Sequence, residues 1–259
     1  MKAIPEEFYM QSGAEVVTPH NFETFMDAHA DVDITWDFQE QFSGSGRLSS
    51  ISLQHGLATG FPVDLRYGWD LNNTDHQQLL VRARTRFKPR IKFSAPDCRH
   101  WGVQSSTFDK EYLEQARQEE YGQLEWLFLD NKHQHDQGLA YGNENPDRSA
   151  IFVKSPLAKN CDLNDNRRRK LDQRRFGAVS ESHLPIRKST LIDTNIKLRR
   201  SENGAWDTVF FNTNIYRAVS RARRFSGLPR RLSIRPGCAT TSSRISASSF
   251  GPFSSRTSS

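Results

Sequence analysis

Residues 40–70 read EQFSGSGRLSSISLQHGLATGFPVDLRYGWD and constrain the fold more than any other stretch. An apolar run (Trp36, Phe38, Phe42) leads into Ser43-Gly44-Ser45-Gly46. A helix is predicted over Arg47 to His55, with Gly56 as its stop. A second short strand, Phe61 to Leu65, carries Asp64. The unit is therefore strand, glycine turn, helix, strand, acid. Gly44 and Gly46 let a ligand approach the backbone, and the amino end of the helix favours polar or negative groups. Asp64 follows Gly44 by 20 residues, the place for an acid that accepts bonds from ribose hydroxyls. A lone G-x-G is also an ordinary strand-to-helix turn. What raises the nucleoside reading is a second strand-end acid, Asp70 in Gly68-Trp69-Asp70-Leu71, and two later segments. Ser94-Ala95-Pro96-Asp97-Cys98 and Glu144-Asn145-Pro146 each stand at the exit of a predicted strand.

The pattern repeats along the chain. Asn73 or Thr74 caps a predicted helix with apolar Leu79, Leu80, Ala83 and Phe87 on one side. Arg82, Arg84, Arg86 and Lys88 occupy the other, either a solvated face or a nucleic-acid contact. Pro89 ends it, and Ile91 and Phe93 mark a strand over 90–94. A long helix is predicted over 110–131, with Leu113, Ala116, Leu124, Leu127 and Phe128 on one stripe and Glu120 a polar gap in it. Residues 132–138 read as a polar link and 139–143 as a strand. Regular alternation of this kind predicts an α/β fold with a mainly parallel sheet and helices on both faces. Ligands of such sheets bind beyond the carboxyl ends of the strands, where Gly44, Asp64, Asp70, Cys98 and Glu144 all map.

Composition divides the chain. Residues 161–259 hold 20 Lys/Arg against 7 Asp/Glu, leaving 16 against 23 for residues 1–160. A basic half of this kind suits a nucleic acid or another polyanion, and equally a solvated tail. Four segments are expected: an N-terminal arm (1–32), a core (33–160), a C-terminal extension of the core (161–216) and a disordered Arg/Ser-rich tail (217–259). The three cysteines (Cys98, Cys161, Cys238) form neither a disulfide framework nor a Cys-x-x-Cys pair. With no signal-peptide pattern and no apolar run of membrane-spanning length, the expectation is a soluble protein of the nucleus or cytoplasm.

With these motifs placed, the sequence resembles the DNA cytosine-5 methyltransferase family, and most of all the divergent methyltransferase-like domains of eukaryotic retroelement-type polyproteins. The resemblance covers roughly residues 33–200 and rests on Phe42-Ser43-Gly44-Ser45-Gly46, Gly68-Trp69-Asp70, Pro96-Asp97-Cys98 and Glu144-Asn145-Pro146. It implies a Rossmann-like methyltransferase fold, S-adenosylmethionine as cofactor and a nucleic-acid partner, DNA ahead of RNA. Phe42, Gly44 and Gly46 would line the cofactor pocket, Asp64 would hold the ribose, and Asp70 and Leu71 would border the adenine. Cys98 matches the family's nucleophile, Glu144 its acid, and Asn145 the residue that positions the acid. Arg174 or Arg175 would lie near its arginine-bearing strand, in contact with nucleic acid. The family usually has two prolines before the cysteine, a helix between the strands of the two acids, and a Gly-rich recognition domain; none of these is found here. A catalytically inactive copy that keeps the fold and binds nucleic acid is therefore the alternative.

The chemistry explains the residue types. Carbon 5 of cytosine is a poor nucleophile until a thiolate adds to carbon 6, and nitrogen 3 must then meet a proton, which a glutamic acid can supply. A base inside a duplex must first be flipped out. On the residues alone, Cys98 also fits a small buried thiol and Glu144 a turn carboxylate. His100 beside Cys98 invites a metal or hydrolase reading, but no third group stands at a recognisable spacing. No metal site is expected.

Overall fold

A computed structural model of the chain describes residues 16–172 and 189–196. The chain divides into two units, residues 1–226 and 227–259, and all described residues belong to the first. The basic tail and Arg174 and Arg175 lie outside the described residues.

In order, the elements are α1 (Phe22–Ala28), β1 (Phe38–Gln41), α2 (Arg47–Gln54), α3 (Thr74–Phe87), β2 (Ile91–Ser94), α4 (Lys110–Asp136), β3 (Ala140–Pro146), α5 (Ile151–Lys154), β4 (Arg167–Asp172) and β5 (Ser189–Thr194), with short 3-10 turns between several of them. One five-stranded sheet forms in the order β1-β2-β3-β5-β4. β1, β2 and β3 are parallel neighbours, with Phe38 opposite Ile91 and Ile91 opposite Ala140. β5 runs antiparallel to both β3 and β4. The expected parallel sheet is therefore right for its first half, and the reversed β5 makes the whole sheet mixed. The mixed α/β architecture is compatible with a Rossmann-like fold.

The second predicted strand is reduced to two parallel bridges with β1, Phe38 to Thr59 and Gln41 to Val63. Its reduction follows from packing. A side chain at Gly60 would come 2.5 Å from the Trp36 ring, so the backbone lies against the indole. Phe61 then stacks on Trp69, and Trp36 on Phe87, at centroid distances of 5.5 and 4.3 Å. The amino-terminal arm joins the same cluster through Val17, Phe22 and Phe25.

The two faces of the sheet differ in chemistry. By the alternation of strand side chains, Phe38, Glu40, Ile91, Phe93, Glu144 and Ile192 share one face. Its core is small (Phe38, Leu57, Ile91, Phe93, Leu171, Ile192), and Leu48 of α2 packs against it. The opposite face is polar and buried: Gln39, Gln41, Lys92, Ser94, Asn143 and Asn145 are all under 3% exposed. Asp130 of α4 answers it, bonding Lys92 of β2, Arg84 of α3 and, at 3.1 Å, the amide of Gln41. Burial and the nearby Arg84 charge push Lys92 well below its usual pKa.

This polar face explains why α4 continues to Asp136 through the segment that reads as a link. Asp130, Asn131 and Gln134 are its buried side. Gln134 donates to the Pro89 and Ala140 carbonyls at 2.9 and 3.2 Å, and Asn131 donates to Asn143 at 3.2 Å. The arginines of α3 are likewise engaged within the fold. Arg82 pairs with Glu23, Arg84 with Asp130, and Arg86 donates to the carbonyls of His29, Ala30 and Val32. Among the described residues, no helix is long and apolar enough to cross a membrane.

Removing one partner from a buried charge cluster leaves the others uncompensated. Asp130→Ala should lower the urea-unfolding free energy by about 3–5 kcal/mol. Lys92→Met, which leaves Asp130 paired with Arg84, should cost clearly less in the same measurement.

Candidate active site at the carboxyl edge of the sheet

At the end of β1 the chain turns sharply, and three residues of the turn have positive φ: Phe42 (49°), Gly44 (53°) and Gly46 (63°). Glycine takes this conformation freely; Phe42 does so at a strain cost. The turn is closed from the chain that follows. The Gly44 N–H donates to Asp64 Oδ2 at 2.7 Å, the Arg66 N–H to Asp64 Oδ1 at 3.0 Å, and the Tyr67 hydroxyl to the Gly44 carbonyl at 3.4 Å. A side chain at Gly44 would meet nothing within 4 Å, so the backbone there faces open space. Leu65, next to Asp64, is 69% exposed.

Asp64, expected to accept from ribose hydroxyls, thus meets the glycine turn itself, and its carboxylate braces that turn. Each carboxylate oxygen keeps a lone pair for a further donor. The Ser43 hydroxyl is buried with no hydrogen-bond partner among the described residues. Asp70 is engaged in the turn into α3, where its Oδ1 accepts the Asn72 N–H at 2.9 Å. Leu71, expected at the adenine edge, is only 3% exposed and belongs to the aromatic core cluster with Trp69.

Glu40 is a residue that the sequence reading missed. It sits on β1 beneath the turn, 6% exposed, and its Oε2 accepts both the N–H and the hydroxyl of Ser49 at 2.8 Å. Burial pushes this carboxyl up to about 7, against the lowering effect of the Ser49 and Leu48 bonds and with help from the Asp64 charge. Its acidic position one turn before the glycines was visible, but not that α2 would close over it.

The second group lies beyond β2 and on β3. The Ala95 N–H donates to the Gln41 carbonyl at 3.2 Å, so the segment leading to Cys98 starts beside the glycine turn. The Asn145 side-chain amide donates to the Pro96 carbonyl at 2.8 Å, tying that segment to the strand of Glu144. Asn145 is buried, and its Oδ1 has no partner among the described residues. Glu144 lies within β3, not beyond it, because the strand continues to Pro146 by pairing with β5. It is half-buried and accepts the Thr190 hydroxyl at 3.0 Å.

Cys98 is partly exposed. Asp97 beside it is met by Arg99, through the backbone N–H at 2.8 Å and the guanidinium at 3.9 Å, both side chains being exposed. His100 bonds Glu120. Among the described residues, no group of three His, Cys, Asp or Glu is placed to hold a metal ion.

Register adds one residue. Glu144 lies opposite Ile192, and Ile192 opposite Arg169, so an exposed arginine shares the row of Glu144 on one face of the sheet. Its neighbours in the basic run are paired: Arg167 with Asp165, Arg168 with Asp193, Lys170 with Asp147. The strand order needed to see this was not readable from the chain.

No protein-family model matches the chain, and no curated protein matches it.

The raised Glu40 carboxyl carries a pH signature. Because its folded value (about 7) lies above its unfolded value (near 4.5), its stabilising contribution is full below pH 4.5 and is lost as pH rises through 7. The difference is worth about 3 kcal/mol. Glu40→Gln should flatten the loss of stability between pH 4.5 and 7.5 in denaturant titrations, where the wild type weakens.

Proposed function

We propose that this chain is an S-adenosylmethionine-dependent methyltransferase-like domain that acts on cytosine in nucleic acid, with Cys98 as nucleophile and Glu144 as acid. The observation that carries the reading is the Asn145-to-Pro96 bond, which holds the Cys98 segment against the strand of Glu144, next to a glycine turn that faces open space. Three motifs far apart in sequence come together along one sheet edge, where ligands of α/β sheets bind.

The residues fit the cofactor. Gly44 leaves room for close approach, Asp64 keeps acceptor capacity for ribose hydroxyls, the Ser43 hydroxyl awaits a partner, and exposed Leu65 offers an apolar surface to a base. When bound, S-adenosylmethionine supplies an electrophilic methyl group. The protein's part is at the base. The Cys98 thiolate forms a bond to carbon 6 as Glu144 gives its proton to nitrogen 3, which leaves carbon 5 enamine-like and able to take a methyl group. Loss of the carbon 5 proton to water then re-forms the 5,6 double bond and expels the Cys98 thiolate, and nitrogen 3 returns its proton to Glu144. Arg99 lessens the effect of Asp97 on the thiol, and Arg169 offers a cation on the Glu144 face. The nucleic-acid partner, DNA ahead of RNA, rests on the resemblance and on the basic C-terminal third.

The second reading, a catalytically inactive retroelement-derived domain that keeps the fold and binds nucleic acid, is favoured by Asp97. A carboxylate directly before the cysteine opposes thiolate formation, and an exposed pair with Arg99 offsets this weakly.

Titration calorimetry of the chain with S-adenosylmethionine tests the pocket. Asp64→Ala should weaken binding by about 1.5–3 kcal/mol, tenfold to a hundredfold, and leave the fold intact. Unchanged affinity removes Asp64 from the site. Trapping on an oligonucleotide that carries a mechanism-based cytosine analogue tests the chemistry. Cys98→Ser should abolish the covalent adduct and leave cofactor binding nearly unchanged. Cofactor binding by the wild type without any adduct selects the inactive reading.

A further inference from the structure

The turn that carries Cys98 is held from outside by one carboxylate. Glu120 lies on α4, where the sequence shows a polar gap in an apolar stripe. Its Oε1 meets His100 Nδ1 at 2.6 Å and its Oε2 accepts the Trp101 indole N–H at 2.5 Å. A carboxylate only accepts, so His100 Nδ1 carries the proton, which leaves Nε2 toward the Tyr112 hydroxyl at 3.5 Å. Both side chains of this pair are largely buried, 12% and 16% exposed. One turn earlier on the same helix, Arg117 Nε donates to the His100 carbonyl at 2.9 Å, and its guanidinium lies 5.1 Å from the centre of the Trp101 ring. Trp101 is 2% exposed, and its carbonyl accepts the Ala150 N–H at 2.7 Å and the Ser149 hydroxyl at 3.3 Å. Within the turn, the Cys98 carbonyl accepts the N–H groups of Trp101 and Gly102 at 3.1 and 2.7 Å. A Cβ at Gly102 would stand 3.0 Å from that carbonyl, so any other residue crowds the turn.

The chain on either side of Cys98 is thus fixed to different parts of the fold: Pro96 to β3 through Asn145, and His100 and Trp101 to α4 through Glu120. An exposed loop has no need of two buried charge-assisted bonds to one residue; a side chain whose direction matters does. We propose that Glu120 is a positioning residue that aims the Cys98 side chain along the sheet edge toward Glu144, acting through His100 and Trp101. The inference rests on Cys98 being the nucleophile of the reading above, but the clamp itself can be tested without that chemistry.

The test uses the full chain with Cys161→Ser and Cys238→Ser, so that Cys98 is the only thiol. Against this background stand Glu120→Gln, which keeps the shape and one acceptor oxygen but replaces the other with an NH2 donor, and Glu120→Ala. Three measurements are made: the tautomer of His100 by 15N imidazole spectroscopy, the rate of Cys98 alkylation by iodoacetamide, and covalent trapping on the cytosine-analogue oligonucleotide. The expected result is loss of the Nδ1–H signature, several-fold faster alkylation as the turn loosens, and several-fold slower trapping, in Glu120→Gln at nearly unchanged unfolding midpoint. A residue with a merely structural role would not drive alkylation and trapping in opposite directions. Wild-type alkylation rates in Glu120→Gln, with the Nδ1–H signature lost, overturn the proposal, as does retention of that signature. If the parent chain never traps, yet its alkylation responds to Glu120, the methyl-transfer reading fails and the clamp stands.

Discussion

The sheet depends on one carboxylate. Asp130 binds a cation from β2, a cation from α3 and the amide of Gln41 at the end of β1, so that four elements share a single buried charge. Burying charges costs free energy that attraction repays only when the geometry is good and the remaining polar atoms are satisfied. What the arrangement secures is direction. Gln41 also accepts the Ser94 hydroxyl at 3.2 Å, and both residues are the last of their strands. The strand ends from which the glycine turn and the Cys98 segment depart are therefore held to each other and to the helix behind them.

From those two strand ends the candidate site is built by side chains that reach back to backbone. Asp64 takes the Gly44 N–H, Glu40 takes the Ser49 N–H, and Asn145 gives its amide to Pro96. Each joins a flexible turn to an element on the other side of it. Such bonds cost less to preorganise than to form when a ligand arrives. Glu120 extends the same device to the far side of Cys98. Two of the buried polar atoms without a partner among the described residues, Ser43 Oγ and Asn145 Oδ1, lie along the same edge. Buried groups of that kind are uncommon in folded proteins.

The arginines carry a different lesson. A row of them on one helix invites a polyanion, but on α3 they bind Glu23, Asp130 and the carbonyls that end the arm after α1. On β4 three of the four basic residues have an acidic partner among the described residues. Charge counted along a sequence does not say which charges face out. Arg169 is the exception by register, since it reaches the face of Glu144 two strands away.

The sequence by itself determined the local units. The glycine turn with its following helix and Gly56 stop, α3 from its Asn73 cap to Phe87, the strand at 91–94 and the start of α4 at Lys110 all form as the residues predict. These depend on φ preferences, caps and short-range periodicity, which neighbours in the chain specify. The 20-residue spacing from Gly44 to Asp64 pointed to an acid for ribose hydroxyls, and in the fold that carboxylate also takes the Gly44 N–H. Only tertiary structure decided the rest. The extension of α4 to Asp136 depends on polar partners from β3 and the chain before β2, and the burial of Glu40 on the Ser49 bonds of α2, so polarity alone misreads them. Leu71 is buried in the aromatic core cluster with Trp69, which local pattern did not show. The reversed β5, the reach of β3 to Pro146 and the approach of Asn145 to Pro96 follow from strand order, which no local pattern encodes. Local geometry is written in neighbouring residues, whereas the pairing of charges and strands is settled by the assembled fold, where burial makes each unmatched polar group costly.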